Sequence, residues 1–292
     1  MIRALAFLGG LLLGAPLVYA ASTVGSVDRI LIPVSQLDRA AEFYTGALSF
    51  VPSETRALSG LILRLGNETI ELVQRNGRAI PVDSRSNDRW FQHLAIVVSD
   101  IDQAYAAVLR AGAAPISAGP QLLPAWNPNA GGIRAVYFRD RDGHPLELIQ
   151  YPPGKGEPRW QDKDRLFLGI DHTAVAAGDS GSSIAFYRDR LSLRVTGQSE
   201  NWGIEQDRLS AVPGAHVRIT TLRPRNAGPG IELLQYLMPR DGRPMPTDTT
   251  ADDLWVEEVV LRAAVGTVSG ELLRDPDGHA IRITAERQEA SQ

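Results

Sequence analysis

The chain repeats itself, and this limits its fold more than any other property of its 292 residues. The fullest copy runs from Trp90 to Tyr151. A strand-like WFQHLAIVVSD leads into an amphipathic DIDQAYAAVLRAGA, and GIRAVYFRDRDGHPLELIQYP closes the copy, giving the order β-α-β-β-β. A first copy precedes it, with a strand at 27–34, a helix at 37–48 and strands at 60–65 and 68–74. A third copy opens at Leu168. It aligns with the first at a constant offset of 143, Asp28-Arg29 with Asp171-His172 and Phe43-Tyr44 with Phe186-Tyr187. TIELVQ around Glu71 returns as GIELLQY around Glu232. The fourth copy is damaged. DDLWVEEVVLR resembles a first strand, and DPDGHAIRI matches DRDGHPLEL at an offset of 135, but only residues 263–269 lie between. Roughly thirty residues are missing there, so this module is expected to lack its helix. Each copy is a supersecondary unit whose apolar face needs a partner.

The length suggests two domains. The repeats place them at 24–152 and 166–285, the second with its truncated module, joined by a Pro-, Gly- and charge-rich linker at 153–165 and followed by a tail at 286–292. Residues 1–21 read as a signal peptide. Arg3 precedes an apolar run from Ala4 to Val18, and Val18-Tyr19-Ala20 supplies the small-x-small cleavage pattern. The run falls short of the ~20 residues of a membrane span. Cleavage after Ala20 or Ala21 would give a secreted or periplasmic protein with no membrane contact. There is no cysteine, so disulfides, thiolate ligands and thiol nucleophiles are excluded. A net charge of −4 without a basic run argues against nucleic acid as a partner. No nucleotide loop or nucleophile elbow occurs in a fitting context.

Chemistry must therefore come from imidazoles, carboxylates and hydroxyls. His93 alternates with Ala95 and Val97 on a first strand, and Glu71 and Glu147 stand at matching positions on last strands. Trp126 sits in a Pro- and Gly-rich loop, LLPAWNPNAGG, where a lid would lie. His144 and His279 follow a D-x-D-G turn and read as turn residues, and His216 reads as a packing or surface histidine.

Paired βαβββ modules with His in a first strand, Glu in a last strand and D-x-D-G-H before that Glu resemble the vicinal oxygen chelate superfamily. That group includes glyoxalase I, bleomycin resistance proteins and extradiol dioxygenases. The resemblance covers residues 26 to about 285. It implies an α+β fold of tandem βαβββ modules paired into two half-barrel, glyoxalase-like domains, module one with two and three with four. It also implies a divalent metal (Zn, Mn, Fe or Ni) at the base of a cup, held from first and last strands. Carried over position by position, domain one offers His93, Glu147 and Glu71 as metal ligands, Glu71 or Glu147 doubling as base. Arg29 stands there in place of the expected His or Gln, and could pair with the carboxylates instead of a metal. Domain two offers His172 and Glu232, with Glu257 or Glu258 in an ambiguous register and Arg282 where a carboxylate is expected. Arg29, Trp126, Tyr137 and Arg282 are the substrate-binding candidates. The implied function is a metal-dependent lyase- or isomerase-type enzyme acting on a small molecule through two adjacent oxygens. Extradiol oxygenation is less favoured, because neither expected domain supplies two matched histidines. The alternative is a metal-free small-molecule binder of the bleomycin-resistance kind. A homodimer is compatible with either.

Overall fold

The structure is a computed structural model that describes residues 23–55, 60–226, 228–264, 270 and 272–285. The expected signal peptide and the 286–292 tail lie outside these residues. Module one consists of β1 (Val24–Val34), α1 (Leu37–Leu48), β2 (Val51–Pro52), β3 (Leu61–Leu65) and β4 (Glu68–Gln74). Module two contains β5 (Gln92–Val98), α2 (Ile101–Arg110), β6 (Ala114–Pro115), β7 (Gln121–Leu122), β8 (Arg134–Arg139) and β9 (Pro145–Gln150). Module three has β10 (Phe167–Ala176), α3 (Ser180–Ala185), β11 (Arg194–Trp202), α4 (Ile204–Ser210), β12 (His216–Arg223) and β13 (Gly230–Met238). Module four is β14 (Glu258–Ala263), β15 (Leu272–Arg274) and β16 (Ala280–Thr284), with no helix among its described residues. No helix among the described residues is long and apolar enough to cross a membrane.

The helices form where the 3.6-residue period predicts. α1 buries Ala40, Phe43, Tyr44, Ala47 and Leu48 along one stripe. α2 starts where the Asp100 carboxylate accepts from the Asp102 and Gln103 amides, and it buries Ile101, Ala104 and Val108. These stripes pack in one core with inward residues of both sheets, among them Ile30, Ile32, Leu94, Ile96, Val259 and Ile281.

The modules pair crosswise. One sheet has the order β15-β16-β14-β1-β4-β3-β2, joining module one to module four; the other runs β11-β12-β13-β10-β5-β9-β8-β6 and joins module two to module three. The expected pairing of one with two and three with four is therefore not the one that forms. First strand meets first strand in both sheets, β1 antiparallel to β14 and β5 antiparallel to β10.

The segments carrying the chain between sheets explain how this arrangement is held. Residues 75–91 lead from β4 to β5, and 239–257 lead back from β13 to β14. Each grips the other. Arg78 donates to Asp253 and Asp248 and lies 4.8 Å from the Trp255 ring. Arg243 donates to Asp88 and Asp83 and lies 4.8 Å from the Trp90 ring. The two segments carry the same residues at the same spacing, Gly77, Arg78, Asp83, Asp88 and Trp90 against Gly242, Arg243, Asp248, Asp253 and Trp255. A Cβ on Gly77 would lie 2.1 Å from the Asp252 carbonyl oxygen, and one on Gly242 1.8 Å from that of Asn87, so only glycine allows the approach.

The D-x-D-G-H turns are buried. Asp140 accepts from the amides of Asp142 and His144 and from the Tyr44 hydroxyl, tying module two to module one. Asp275 does the same with Asp277, His279 and Tyr187. His144 has Nε2 2.7 Å from the Pro33 carbonyl and Nδ1 3.2 Å from a Glu257 carboxylate oxygen, so both ring nitrogens face acceptors and the ring is held as imidazolium. Burial alone would lower its pKa, but Asp140 and Glu257 overcome that and raise it to about 9. A raised histidine pKa stabilises the fold fully below pH ~6.5, and the contribution is lost as pH rises through about 9. Burial raises the Glu257 pKa, which offsets part of the gain. Urea denaturation is expected to show stability falling by about 1–2 kcal/mol from pH 6 to pH 10. In His144→Gln that slope should flatten; an unchanged slope would assign the pH dependence to other groups.

Candidate metal centre

The β5–β10 junction builds the site. In the pairing register Glu147 of β9, Ala95 of β5 and His172 of β10 lie in one row, and Glu232 of β13, Ala174 of β10 and His93 of β5 lie in the next. Each row places a carboxylate and an imidazole on either side of an alanine, and the two alanines leave the centre of the cup open. A register shift between Ile170 and His172 adds one residue to β10. On a regular strand Asp171 and His172 would point to opposite faces. The bulge lets both side chains meet, with His172 Nδ1 2.8 Å from Asp171 Oδ2.

The donor atoms converge. His93 Nε2 lies 3.1 Å from Glu147 Oε2, and His172 Nε2 lies 3.5 Å from both Glu147 Oε2 and Glu232 Oε2. The two Nε2 atoms are 3.4 Å apart, and donors of His93, Glu147 and His172 all fall within 4.8 Å of one another. All three residues are buried. Asp171 is a carboxylate that only accepts, so His172 donates from Nδ1. Its Nε2 faces the Glu147 and Glu232 carboxylates, which call for a positive charge between them: a proton on Nε2, or a metal ion in that proton's place. Burial would lower the His172 pKa, yet Glu232 and Asp171 hold it well above the usual histidine range. Burial would raise Glu147, but His172 and His93 bring it down to about 2. Two imidazoles and two carboxylates are a fitting donor set for Zn²⁺, Mn²⁺, Fe²⁺ or Ni²⁺.

Surrounding contacts set these donors. Arg223 donates to Asp171 Oδ1 at 3.1 Å, and the Thr221 hydroxyl donates to Glu232 Oε1 at 2.7 Å, leaving Glu232 Oε2 turned to His172. Such outer contacts typically carry about 10–100-fold in metal affinity. Thr221→Val is expected to weaken metal binding about tenfold with the fold intact, read by competition with a chelating dye.

The sheet of modules one and four holds the same four positions with different residues. Arg29 donates to Glu71 at 2.6 Å and also pairs with Asp28. Arg282 donates to Glu258 at 2.6 and 2.9 Å. The positions of Ala95 and Ala174 are taken by Val260 and Leu31, which pack with Val73 where the other cup is open. Each guanidinium neutralises a carboxylate, and larger aliphatic side chains fill the centre between them.

These placements revise the expected site. His93 and Glu147 are brought together with His172 and Glu232 in one centre. Glu71 lies on β4 of the other sheet, bonded to Arg29, and joins neither the expected ligands nor the expected base position. Arg29 and Arg282 are likewise in the other sheet and do not face this cup. The register left open is settled: Glu258 faces Arg282, and Glu257 bonds His144. Tyr137 lines the cup with its ring centroid 4.8 Å from that of His93, and burial drives its phenol pKa well up, keeping it protonated. Trp126 is half exposed and stacks on Trp202 at 4.0 Å outside the cup. Its loop does roof the cavity, since Asn127 and Asn129 donate to the Glu200 and Gln198 carbonyls of β11. His216 pairs with Glu200 at 2.7 Å, away from the centre. Asp171, Thr221 and Arg223 were not singled out from the sequence. The one available signal was the constant 165-residue offset between the two connecting segments, which also aligns His93 with Glu258 and so identifies the equivalent strands.

Fold and site together define a two-cup α+β protein with one open His/Glu cup. Residues 26–148 match the family model for the Glyoxalase/Bleomycin resistance protein/Dioxygenase superfamily. Among solved structures, glyoxalase I from Zea mays is similar over 89% of this chain and 92% of that one, with 17% identity and a TM-score of 0.61. A proposed dioxygenase from Bacillus subtilis strain 168 is similar over 91% and 86%, with 13% identity and a TM-score of 0.52. At these identities the likeness concerns the fold.

Proposed function

We propose that the chain is an exported, divalent-metal-dependent enzyme that acts on a compact substrate through two adjacent oxygens. The observation that carries this is the convergence of His93, Glu147, His172 and Glu232 around an open centre, with the His172 ring orientation fixed by Asp171. When bound, the ion supplies Lewis acidity toward those oxygens. Asp171, held in place by Arg223, keeps His172 Nε2 turned inward, where a metal would replace its proton. Glu147, with its pKa near 2, stays ionised and serves as a durable ligand rather than a base. Glu232 is the less buried carboxylate and keeps one oxygen committed to Thr221, so its other oxygen is the one placed to take a proton from substrate. The apolar walls, among them Leu123, Ile133, Ile149 and Leu234, exclude water from that transfer.

The test is elemental analysis of the purified protein, followed by a substrate screen beginning with α-hydroxy ketones and catechols. About one equivalent of a transition metal is expected. No metal, and no rise in melting temperature on adding Zn²⁺, Mn²⁺, Fe²⁺ or Ni²⁺, would sink the reading in favour of a metal-free binder. A second reading is favoured by one observation: His93 and His172 share a site with Glu147, so two histidines and a carboxylate are available for iron-dependent oxygenation. Bound iron with oxygen uptake on a catechol would select it. Export is supported by the leader-like first 21 residues, and an N-terminus at Ala21 or Ser22 on the mature protein is the expected result.

A further inference from the structure

The open cup encloses a cavity of about 190 Å³. Its two ends differ in chemistry. At one end are the four donors, with Thr221 of β12 beside Glu232. Along β12 the chain runs back from Thr221 to Ile219 and Val217, whose partners on β11 are Ser199 and Asn201. Four residues of strand carry this second end about 13 Å from Thr221. There the lining is neutral and polar: Asn129, Ser199, Asn201 and, from the helix that follows β11, Gln206. Between the ends the walls are aliphatic and aromatic. No lysine or arginine is among the described lining residues.

Gln206 stands out. It is 4% exposed, and its Oε1 is buried with no hydrogen-bond partner among the described residues. Its neighbour Asn201 is already committed, accepting from the Asn127 amide. A buried carbonyl oxygen left unpaired costs on the order of 1–3 kcal/mol, and native proteins rarely carry one without a role.

We infer that Gln206 is the specificity-determining residue for the far end of the substrate, a reading that rests on the metal site proposed above. The cup takes a compact, elongated molecule with two adjacent oxygens at the metal end, an apolar middle and an uncharged hydrogen-bond donor, a hydroxyl or amide N–H, at the far end. The volume lies below the ~300–1,000 Å³ of sites for drug-sized ligands, which limits the substrate to roughly ten to thirteen non-hydrogen atoms. A carboxylate or phosphate placed against the buried Gln206 and Asn201 would face the Gln206 carbonyl oxygen with no lining cation to pair with, and is disfavoured.

Three chelating probes test this by calorimetry on metal-loaded protein: benzohydroxamate, its para-hydroxy derivative and its para-carboxy derivative. The para-hydroxy probe is expected to bind about five- to tenfold tighter than the parent, and the para-carboxy probe at least tenfold weaker. In Gln206→Leu the hydroxyl advantage should vanish while metal content and parent affinity stay unchanged. Gln206→Asn, one methylene shorter, should lose the advantage too and guards against a folding defect in the leucine variant. Equal affinities of the three probes for protein that holds its metal would overturn this inference alone. Failure to bind metal at all would overturn it together with the reading it rests on. A hydroxyl advantage that survives in both variants would remove Gln206 from the role.

Discussion

Replacing either His93 or His172 by alanine is expected to lower metal affinity at least a hundredfold, although the two residues lie 79 positions apart and in different repeats. The contact network gives the magnitude. Losing an outer contact at such a site commonly costs about 10–100-fold, so losing a ligand costs more. In each variant the remaining imidazole faces Glu147 with one neutralising partner fewer. Glu71→Gln is the informative control. Pairing in chain order would make Glu71 a ligand, and the variant would then lose metal; its bond to Arg29 in the other sheet predicts wild-type metal affinity. Isothermal titration of dialysed protein with Zn²⁺ or Mn²⁺ reads all three. Full affinity in His172→Ala, or a loss in Glu71→Gln, would refute the crosswise site.

The second large effect is expected at the connecting segments. Asp88 has no solvent exposure, and its carboxylate takes Nε and Nη2 of Arg243 at 3.1 and 2.6 Å besides the amides of Arg85 and Arg243. Arg243→Ala removes two charge-assisted donors from a buried anion and leaves the amides and the Arg85 guanidinium at 3.5 Å. A loss of about 2 kcal/mol is expected, after allowing for water reaching the site along the half-exposed arginine. Arg78→Ala does the same to Asp253 and is expected to destabilise in the same direction. The double variant should be the least stable, since both grips hold the two sheets in their crosswise arrangement. Urea midpoints measure this against Arg188→Ala, whose pairing with adjacent Asp189 is on the surface and whose loss should be within about 0.5 kcal/mol. Midpoints of all three single variants alike would show the grips to be ordinary surface pairs.

The two cups show how little substitution separates an open centre from a closed one. His172 and Glu147 become Arg29 and Arg282, and Ala95 and Ala174 become Val260 and Leu31. Arginine brings a permanent charge and a planar fork that fits a carboxylate, so the pair satisfies itself without an ion. Valine and leucine then occupy the volume that the alanines leave free.

The sequence by itself determined the modules. The 3.6-residue stripe of α1, the Asp100 cap of α2, the alternation of β5 around His93 and the repeated D-x-D-G-H turns depend on neighbours a few residues away, and they are legible for that reason. It also named His93, Glu147, His172 and Glu232, the four residues of the candidate centre, and suggested that Arg29 could take the place of a metal. Only the tertiary structure decided which modules meet. The apolar faces of all four are alike in pattern, so hydrophobic burial alone does not choose among partners. The choice is made by contacts that span the chain, β5 against β10, Arg78 reaching across 175 residues and Arg243 across 155 to buried aspartates. The same long-range pairing brought His172 and Glu232 to His93 and Glu147 and took Glu71 away, because side chains from different repeats share a site only when their strands are neighbours in one sheet.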